Sequence, residues 1–472
     1  MNDDTNPQQL GFTRRAFLTG SASAGLGIAM SGGAASLLAA PPALGASAGA
    51  ADTKVGYGDL VRDPAGLLDL PAGFSYKLVA QTGVTLLESG EVTPDRTDGT
   101  GCFVRHGGNG SVLVVNHENA AQPNPIVVPQ LAGLTYDAGR AFAGTTNLEV
   151  DKDGNRVREY VSLAGTYANC AGGRTPWHTW LSCEETEVVP TSANGLLERH
   201  GYVFEVDPYD QDANRDPRPL KFLGRFAHEA LAVDPDTYVV YETEDATAPH
   251  GLLYRWTPPD SALPLGKRSL RSLPDDAGTL EAMRASANGV FVPDLSVASE
   301  PGTSYDVVWV PVPERDAVDE SLRVQVTTAT RSRKLEGCWW ADGGAYVVAS
   351  FARRTDGSAA RHDGQVWFFD PVAQTLTLKV FFPFASNHDE NADGPDNITI
   401  SPYGGLILAE DGIGENHVVG VTETGESFFL AHNRLNGSEF AGPAFSQNKK
   451  TMFVNIYSPG HVFAITGPWR KQ

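Results

Sequence analysis

The sequence is short of positive charge, of cysteine and methionine, and of long apolar runs. Its 472 residues hold 36 lysines and arginines against 57 aspartates and glutamates, a formal net charge of −21. With no basic surface to neutralise phosphates along a strand, nucleic acid is excluded as a partner. The four cysteines, Cys102, Cys170, Cys183 and Cys338, fit no zinc-finger or zinc-ribbon spacing. No P-loop, serine nucleophile elbow or HExxH motif occurs, so the common phosphate-cradle, serine-hydrolase and zinc-protease readings fall away. Only Ala22–Ala40 is apolar over any length, and it is made of small residues, so no stable membrane span is expected. Turn chemistry, by contrast, is abundant. The 50 glycines and 31 prolines favour many short strands over long helices.

The N-terminus reads as an address. "TRRAFLTG", Thr13–Gly20, supplies twin arginines, the small apolar run follows, and "ALGASAGA" offers a cleavage point near Ala48. This resembles a twin-arginine export signal. It implies a signal over residues 1–48, one domain over 49–472, the twin-arginine translocation machinery as a partner, and a periplasmic or secreted mature protein. A monomer is expected.

Internal similarity sets the fold expectation. "GYVFEVDP" (Gly201–Pro208) and "GQVWFFDP" (Gly364–Pro371) each alternate like a strand and end in Asp-Pro. Each is followed by a second strand-like run, "PLKFLGRF" or "LTLKVFFPF". A similar hairpin begins at Asn147, with Asp-Gly at its turn. Between such hairpins lie six modules of a polar loop, a short strand, a turn and a Val/Leu/Ile/Tyr-rich strand. They start at Thr97, Cys170, Ala227, Lys334, Asp393 and Ser438. Radial repetition of this kind predicts an all-β, six-bladed β-propeller.

Paired antiparallel strands bring the start of the first and the end of the second to one end of a blade. Acidic and polar residues gather at those places, so the modules predict a metal cluster at one mouth of a central channel. "WLSCEETE", Trp180–Glu187, sets Cys183 against three carboxylates. A thiolate there needs a cation, and a metal deprotonates a coordinating thiol. Cys183 is therefore read as a metal ligand. A Cys170–Cys183 disulfide is the rival, since the two begin and end the paired strands of one blade and so come close. Cys102 and Cys338 read as buried packing residues.

The motifs "WLSCEE", "GRFAHEALAVDP", "YETED", "KLEGC" and "DGPDN" resemble the PhoX family of alkaline phosphatases, from about Gly56 to the C-terminus. The resemblance implies a propeller with iron, as Fe(III), and calcium, as Ca2+, at one mouth, hydrolysing small-molecule phosphate esters. Carried across, Glu118, Cys183, Glu244, Glu336 and Asp396 bind metal, with Asp411 a second candidate beside Asp396. Glu185, Glu229 and Asn116 lie in or next to the ligand shell, and His117 and His228 support it. Glu184, Glu187 and Glu242 are expected as turn residues or solvated strand ends. Where the family carries an arginine two residues before the Glu336 position, this chain has Lys334, preceded by Arg333. In an extended segment Lys334 shares a face with Glu336 and Arg333 does not. Both are the candidates for holding phosphate. A calcium-dependent propeller lactonase or esterase and a non-catalytic metal-stabilised binding propeller remain as alternatives.

Overall fold

In the computed structural model the described residues are 55–120, 124–350, 364–383, 391–412 and 414–472. The export-signal expectation lies outside them. Strands dominate, with one four-residue α-helix, Leu322–Gln325, and a few 3-10 turns among the described residues. None of these helices is long and apolar enough to cross a membrane.

Each predicted module opens on a short strand: β1 (Thr97–Val104), β2 (Asn169–Arg174), β3 (His228–Val233), β4 (Leu335–Ala341), β5 (Pro395–Ile400) and β6 (Phe440–Phe445). Each pairs antiparallel with the strand that follows it. In space β1 lies beside β2, β2 beside β3, and so on to β6, which returns to β1. The sheets stand outward from this ring, and apolar layers fill the gaps between neighbours. Leu181 and Val203 meet Val240 and Tyr254 in one gap; Cys102 and Leu113 meet Phe453 and Val462 in another. The last sheet is completed by the early strand Ser75–Gln81, which pairs with His461–Thr466. This is an all-β, propeller-like architecture.

The hydrogen bonding departs from six separate blades. Among the described residues there are five sheets, because the sheets that start with β3 and β4 are one continuous 11-stranded sheet. The join is Ser304–Pro311, which pairs with Thr279–Ala287 on one side and Thr375–Phe382 on the other. The sheet containing β2 has three strands. "PLKFLGRF", expected as its fourth, instead makes a 3-10 turn at Lys221–Leu223, and Leu220, Phe222 and Leu223 are buried in the apolar layer. The Asn147 and Gly364 hairpins form as expected.

The six first strands share one irregularity. In β1 two residues, Asp98 and Gly99, face one on the partner, and β2, β3, β4 and β5 repeat this one residue from their starts. In β6 the bulge falls between Ala441 and Ala444. A bulge bends a strand and re-aims a side chain. Here the re-aimed residues are Asp98, Cys170, Glu229, Glu336 and Asp396. Each is followed by a small or short residue, because the axis is crowded. A Cβ on Gly99 would lie 2.5 Å from the Ala171 Cα. Only about 20 Å³ of cavity remains where the six strands meet.

Candidate metal centre

The bulges bring together side chains from five modules. Asp98, Glu118 and Cys170 form one group whose ligand atoms lie within 4.8 Å of one another. Three more groups follow to the same limit: Cys170, Glu185 and Glu229; Glu229, Glu336 and Asp396; and Asp396, Asp411 and Glu439. Consecutive groups share a member, so the result is a continuous chain of eight carboxylates and one thiol. Only Glu185 and Asp411 among them are half-buried; the others are buried.

One rule positions these residues. In the first five modules the residue two before the bulge residue accepts, through its carbonyl, a hydrogen bond from the amide just past the second strand; in the sixth, where the bulge sits one residue later, Glu439 does so from three before. Glu118 donates to Arg96, Glu185 to Ala168, Asp245 to Ala227, Ser350 to Lys334, Asp411 to Gly394 and Tyr457 to Glu439. Each sheet thus presents a bulge residue and a strand-end residue side by side.

The thiol in the chain belongs to Cys170. Its Sγ donates to Glu229 Oε1 at 3.0 Å and lies 3.6 Å from Asp98 Oδ2. Cys183, expected there, is instead buried in the apolar layer with Leu181, Val203 and Phe226. Burial, with Glu242 and Glu229 in the neighbourhood, pushes its thiol pKa well up, so it stays protonated. The two cysteines are not bridged; none of the four forms a disulfide, and all are buried. Cys102 and Cys338 are packing residues as expected.

Glu244 is likewise displaced from the expected ligand set. It is fully buried, accepts from Tyr254 Oη at 2.8 Å and from the Leu252 amide, and pairs with Arg323 Nη1 at 2.7 Å. Arg323 also grips Glu187 at 2.6 Å, so Glu187 is an ion-pair partner rather than a solvated strand end. Asn116 touches no ligand atom either. Its amide donates to the Cys170 and Ala171 carbonyls and accepts from Trp180 Nε1 and Ser182 Oγ. All its polar atoms are used, and its work is to hold the β2 bulge open. His117 is held between the Asp95 carbonyl and Thr146 Oγ1. Glu242 is fully buried 3.3 Å from His228 Nδ1, and burial drives its carboxyl pKa well up.

Glu118, Glu185, Glu229, Glu336, Asp396 and Asp411 all fall in the chain. Asp98 and Glu439 were missed. The signal for Asp98 was an acid or cysteine followed by a small residue at the start of each of the first four modules: Asp98-Gly99, Cys170-Ala171, Glu229-Ala230, Glu336-Gly337.

At the middle of the chain Lys334 Nζ lies 2.9 Å from Glu336 Oε1 and 2.7 Å from Asp245 Oδ2, and Ser350 Oγ donates to Glu336 Oε1. Lys334 meets Glu336 as expected, but not through an extended backbone. Its φ is +46°, in the left-handed region, and Arg333 is buried rather than turned to solvent. Strict alternation therefore does not separate the two.

Glu184 anchors the rim beneath Glu185. It accepts from the amides of Tyr167, Gly201 and Tyr202 and from His200 Nδ1 at 2.7 Å, while His200 Nε2 faces Asp137 at 3.3 Å. Burial alone would lower the His200 pKa, but the two carboxylates outweigh it and the pKa is raised. A raised folded-state pKa stabilises fully below the unfolded value and is lost as pH rises through the folded one. His200→Gln should therefore flatten the fall of stability on the alkaline side, read by urea unfolding from about pH 6 to about pH 9. An unchanged slope would show that this clamp does not titrate there.

The donor set suits cations. Buried carboxylates this close repel unless neutralised, and Glu118 Oε2 is buried with no hydrogen-bond partner among the described residues. Thiol with carboxylate suits iron or zinc, and the all-oxygen end at Asp396, Asp411 and Glu439 suits calcium.

The family model for alkaline phosphatase PhoX matches residues 55–159 and 154–460. The chain belongs to the PhoX alkaline phosphatase family. No curated protein matches it. Solved structures similar to it include the PQQ domain of a pyranose dehydrogenase from Coprinopsis cinerea, at 10% identity and TM-score 0.40, covering 86% of this chain and 98% of that one. A gluconolactonase from Xanthomonas campestris matches at 14% identity and TM-score 0.32, covering 80% and 98%. The Pan2 WD40 domain from Neurospora crassa matches at 7% identity and TM-score 0.36, covering 80% and 91%. At such TM-scores these likenesses are too loose to inform fold detail or function.

Proposed function

We propose that this PhoX-family chain is an exported hydrolase of phosphate monoesters whose centre holds Fe(III) and Ca2+. The observation that carries it is the Cys170 thiol set within an unbroken run of buried carboxylates. A calcium-only centre, as in a propeller lactonase, gives that thiol no role.

Asp98, Cys170 and Glu229 are the residues that would hold iron, and Asp396, Asp411 and Glu439 the ones that would hold calcium, with Glu118, Glu185 and Glu336 completing the shells. When bound, such cations neutralise phosphoryl oxygens and ready an oxygen nucleophile at neutral or alkaline pH. The chain's own contribution is positioning, which is most of what phosphoryl transfer asks of a protein. Asn116 holds the β2 bulge. Asn397 does the same for β5, donating to Asp396 Oδ1 and accepting from the Gly442 amide. Lys334, tethered by Asp245 and Glu336, supplies a point charge to a phosphoryl oxygen. A lysine lacks the two-pronged planar fork of arginine, so it holds phosphate less rigidly. Export by the twin-arginine route, to the periplasm or beyond, follows from Thr13–Gly20 and completes the proposal.

Metal-replete protein should hydrolyse an aryl phosphate at alkaline pH, lose the activity when a chelator removes calcium, and regain it on adding Ca2+. Activity that persists after verified calcium loss would overturn the calcium assignment. Absence of phosphate-ester hydrolysis by metal-replete protein would overturn the phosphatase reading.

A further inference from the structure

We propose that Arg96 is a second phosphate-binding cation, placed in the first module as Lys334 is in the fourth and aimed by Tyr457. The inference rests on the phosphatase reading above and adds a residue to its site.

The equivalence is structural. Arg96 stands two residues before Asp98, and Lys334 two before Glu336. Both are left-handed, with φ of +53° and +46°. The Arg96 carbonyl accepts from the Glu118 amide, and the Lys334 carbonyl from the Ser350 amide. Non-glycine residues held in this region are strained and persist only where the surroundings enforce them. At the other equivalent positions stand Ala168, Ala227, Gly394 and Glu439. Two cations thus occupy matching places in a ring that otherwise presents small or acidic residues.

The sixth module explains where Arg96 points. Its bulge begins at Ala441, and Tyr457 takes the strand-end place held elsewhere by Glu118, Glu185, Asp245 and Asp411. The carboxylate chain stops there. Arg96 Nη1 donates to Tyr457 Oη at 2.6 Å, and the guanidinium carbon lies 5.2 Å from the centre of the Tyr457 ring. The Glu118 carboxylate, a member of the chain, acts electrostatically on the Tyr457 phenol. Asp95 and Glu118 are the carboxylates that act on the guanidinium. The guanidinium is therefore one phenol away from the candidate ligands. Among the described residues only Nη1 donates, leaving the remaining donors of the planar fork for a phosphoryl oxygen. A family arginine is absent at Lys334, and Arg96 restores a planar donor to the rim from the opposite side of the ring.

The test uses the full metal-loaded chain, with inorganic phosphate as the probe and metal content measured on every sample. Arg96→Ala should weaken phosphate binding, read by calorimetry, and raise KM for an aryl phosphate by on the order of ten- to a hundredfold. Its metal content should match wild type. Arg96→Lys should recover part of the loss, and Tyr457→Phe should give a smaller rise in KM because the fork is less firmly aimed. The proposal is overturned if Arg96→Ala binds phosphate within about twofold of wild type. It is also overturned if its loss simply tracks loss of metal, which marks a residue that only supports Glu118. A wild-type protein that is metal-replete, yet neither binds phosphate nor hydrolyses any phosphate ester, would instead remove the reading beneath it.

Discussion

Cys170→Ser is expected to strip iron from the protein and to lower activity by more than about a hundredfold, whereas Cys183→Ser should leave both nearly unchanged. The Cys170 Sγ is 3.0 Å from Glu229 Oε1 and belongs to two of the four ligand groups. Its loss therefore breaks the link between the first two groups. Cys183 faces Leu181, Val203 and Phe226, where a serine costs packing and buries a hydroxyl. Elemental analysis and the visible absorption of iron bound to thiolate are the measurements. Iron and colour that survive Cys170→Ser would refute the assignment. Iron lost only on Cys183→Ser would return it to the residue that the sequence motif favours.

Arg323→Ala should destabilise the fold by about 3–5 kcal/mol, the scale for breaking a buried ion pair on one side. Arg323 ties Glu187 and Glu244, at the ends of two neighbouring sheets, and Glu244 is fully buried. Burial raises the Glu244 pKa and Arg323 opposes that, so removing the guanidinium leaves a carboxylate with strong reason to take up a proton. Glu244→Gln in the Arg323→Ala background should recover part of the loss, because a neutral amide does not need the cation. A double-mutant cycle by chemical denaturation reads the coupling. Additive effects would show that Arg323 and Glu244 do not stabilise each other.

These two residues mark where the sequence stopped being legible. Alternation and turn residues predict the strand pairs, because both leave a signature in residue type. The gathering of Glu118, Glu229, Glu336 and Asp396 at one place follows from antiparallel pairing alone. A bulge, however, is one extra residue, and no residue type announces it. Counting along regular strands brings Cys170 and Cys183 to the same end of a pair and favours the one beside more acids. The bulge after Asn169 turns Cys170 into the ring, while ordinary alternation turns Cys183 into the apolar layer. Glu244 misleads for a different reason. Its partner Arg323 is 79 positions away along the chain, on a short helix with no amphipathic pattern to announce it. The fusion of two sheets through Ser304–Pro311 was equally hidden, since a strand does not reveal which edges it will join.

The strand Ser75–Gln81 closes the ring by pairing with His461–Thr466. That closure imposes an order of events on synthesis. The first of these segments leaves the ribosome nearly four hundred residues ahead of the second, and its edge stays open until the second arrives. The carboxylate chain, whose members run from Asp98 to Glu439, cannot take its final spacing earlier than that. For the proposed metal centre, loading is then a late, post-translational step, and during the long wait the open edge of Ser75–Gln81 is exposed to mispairing.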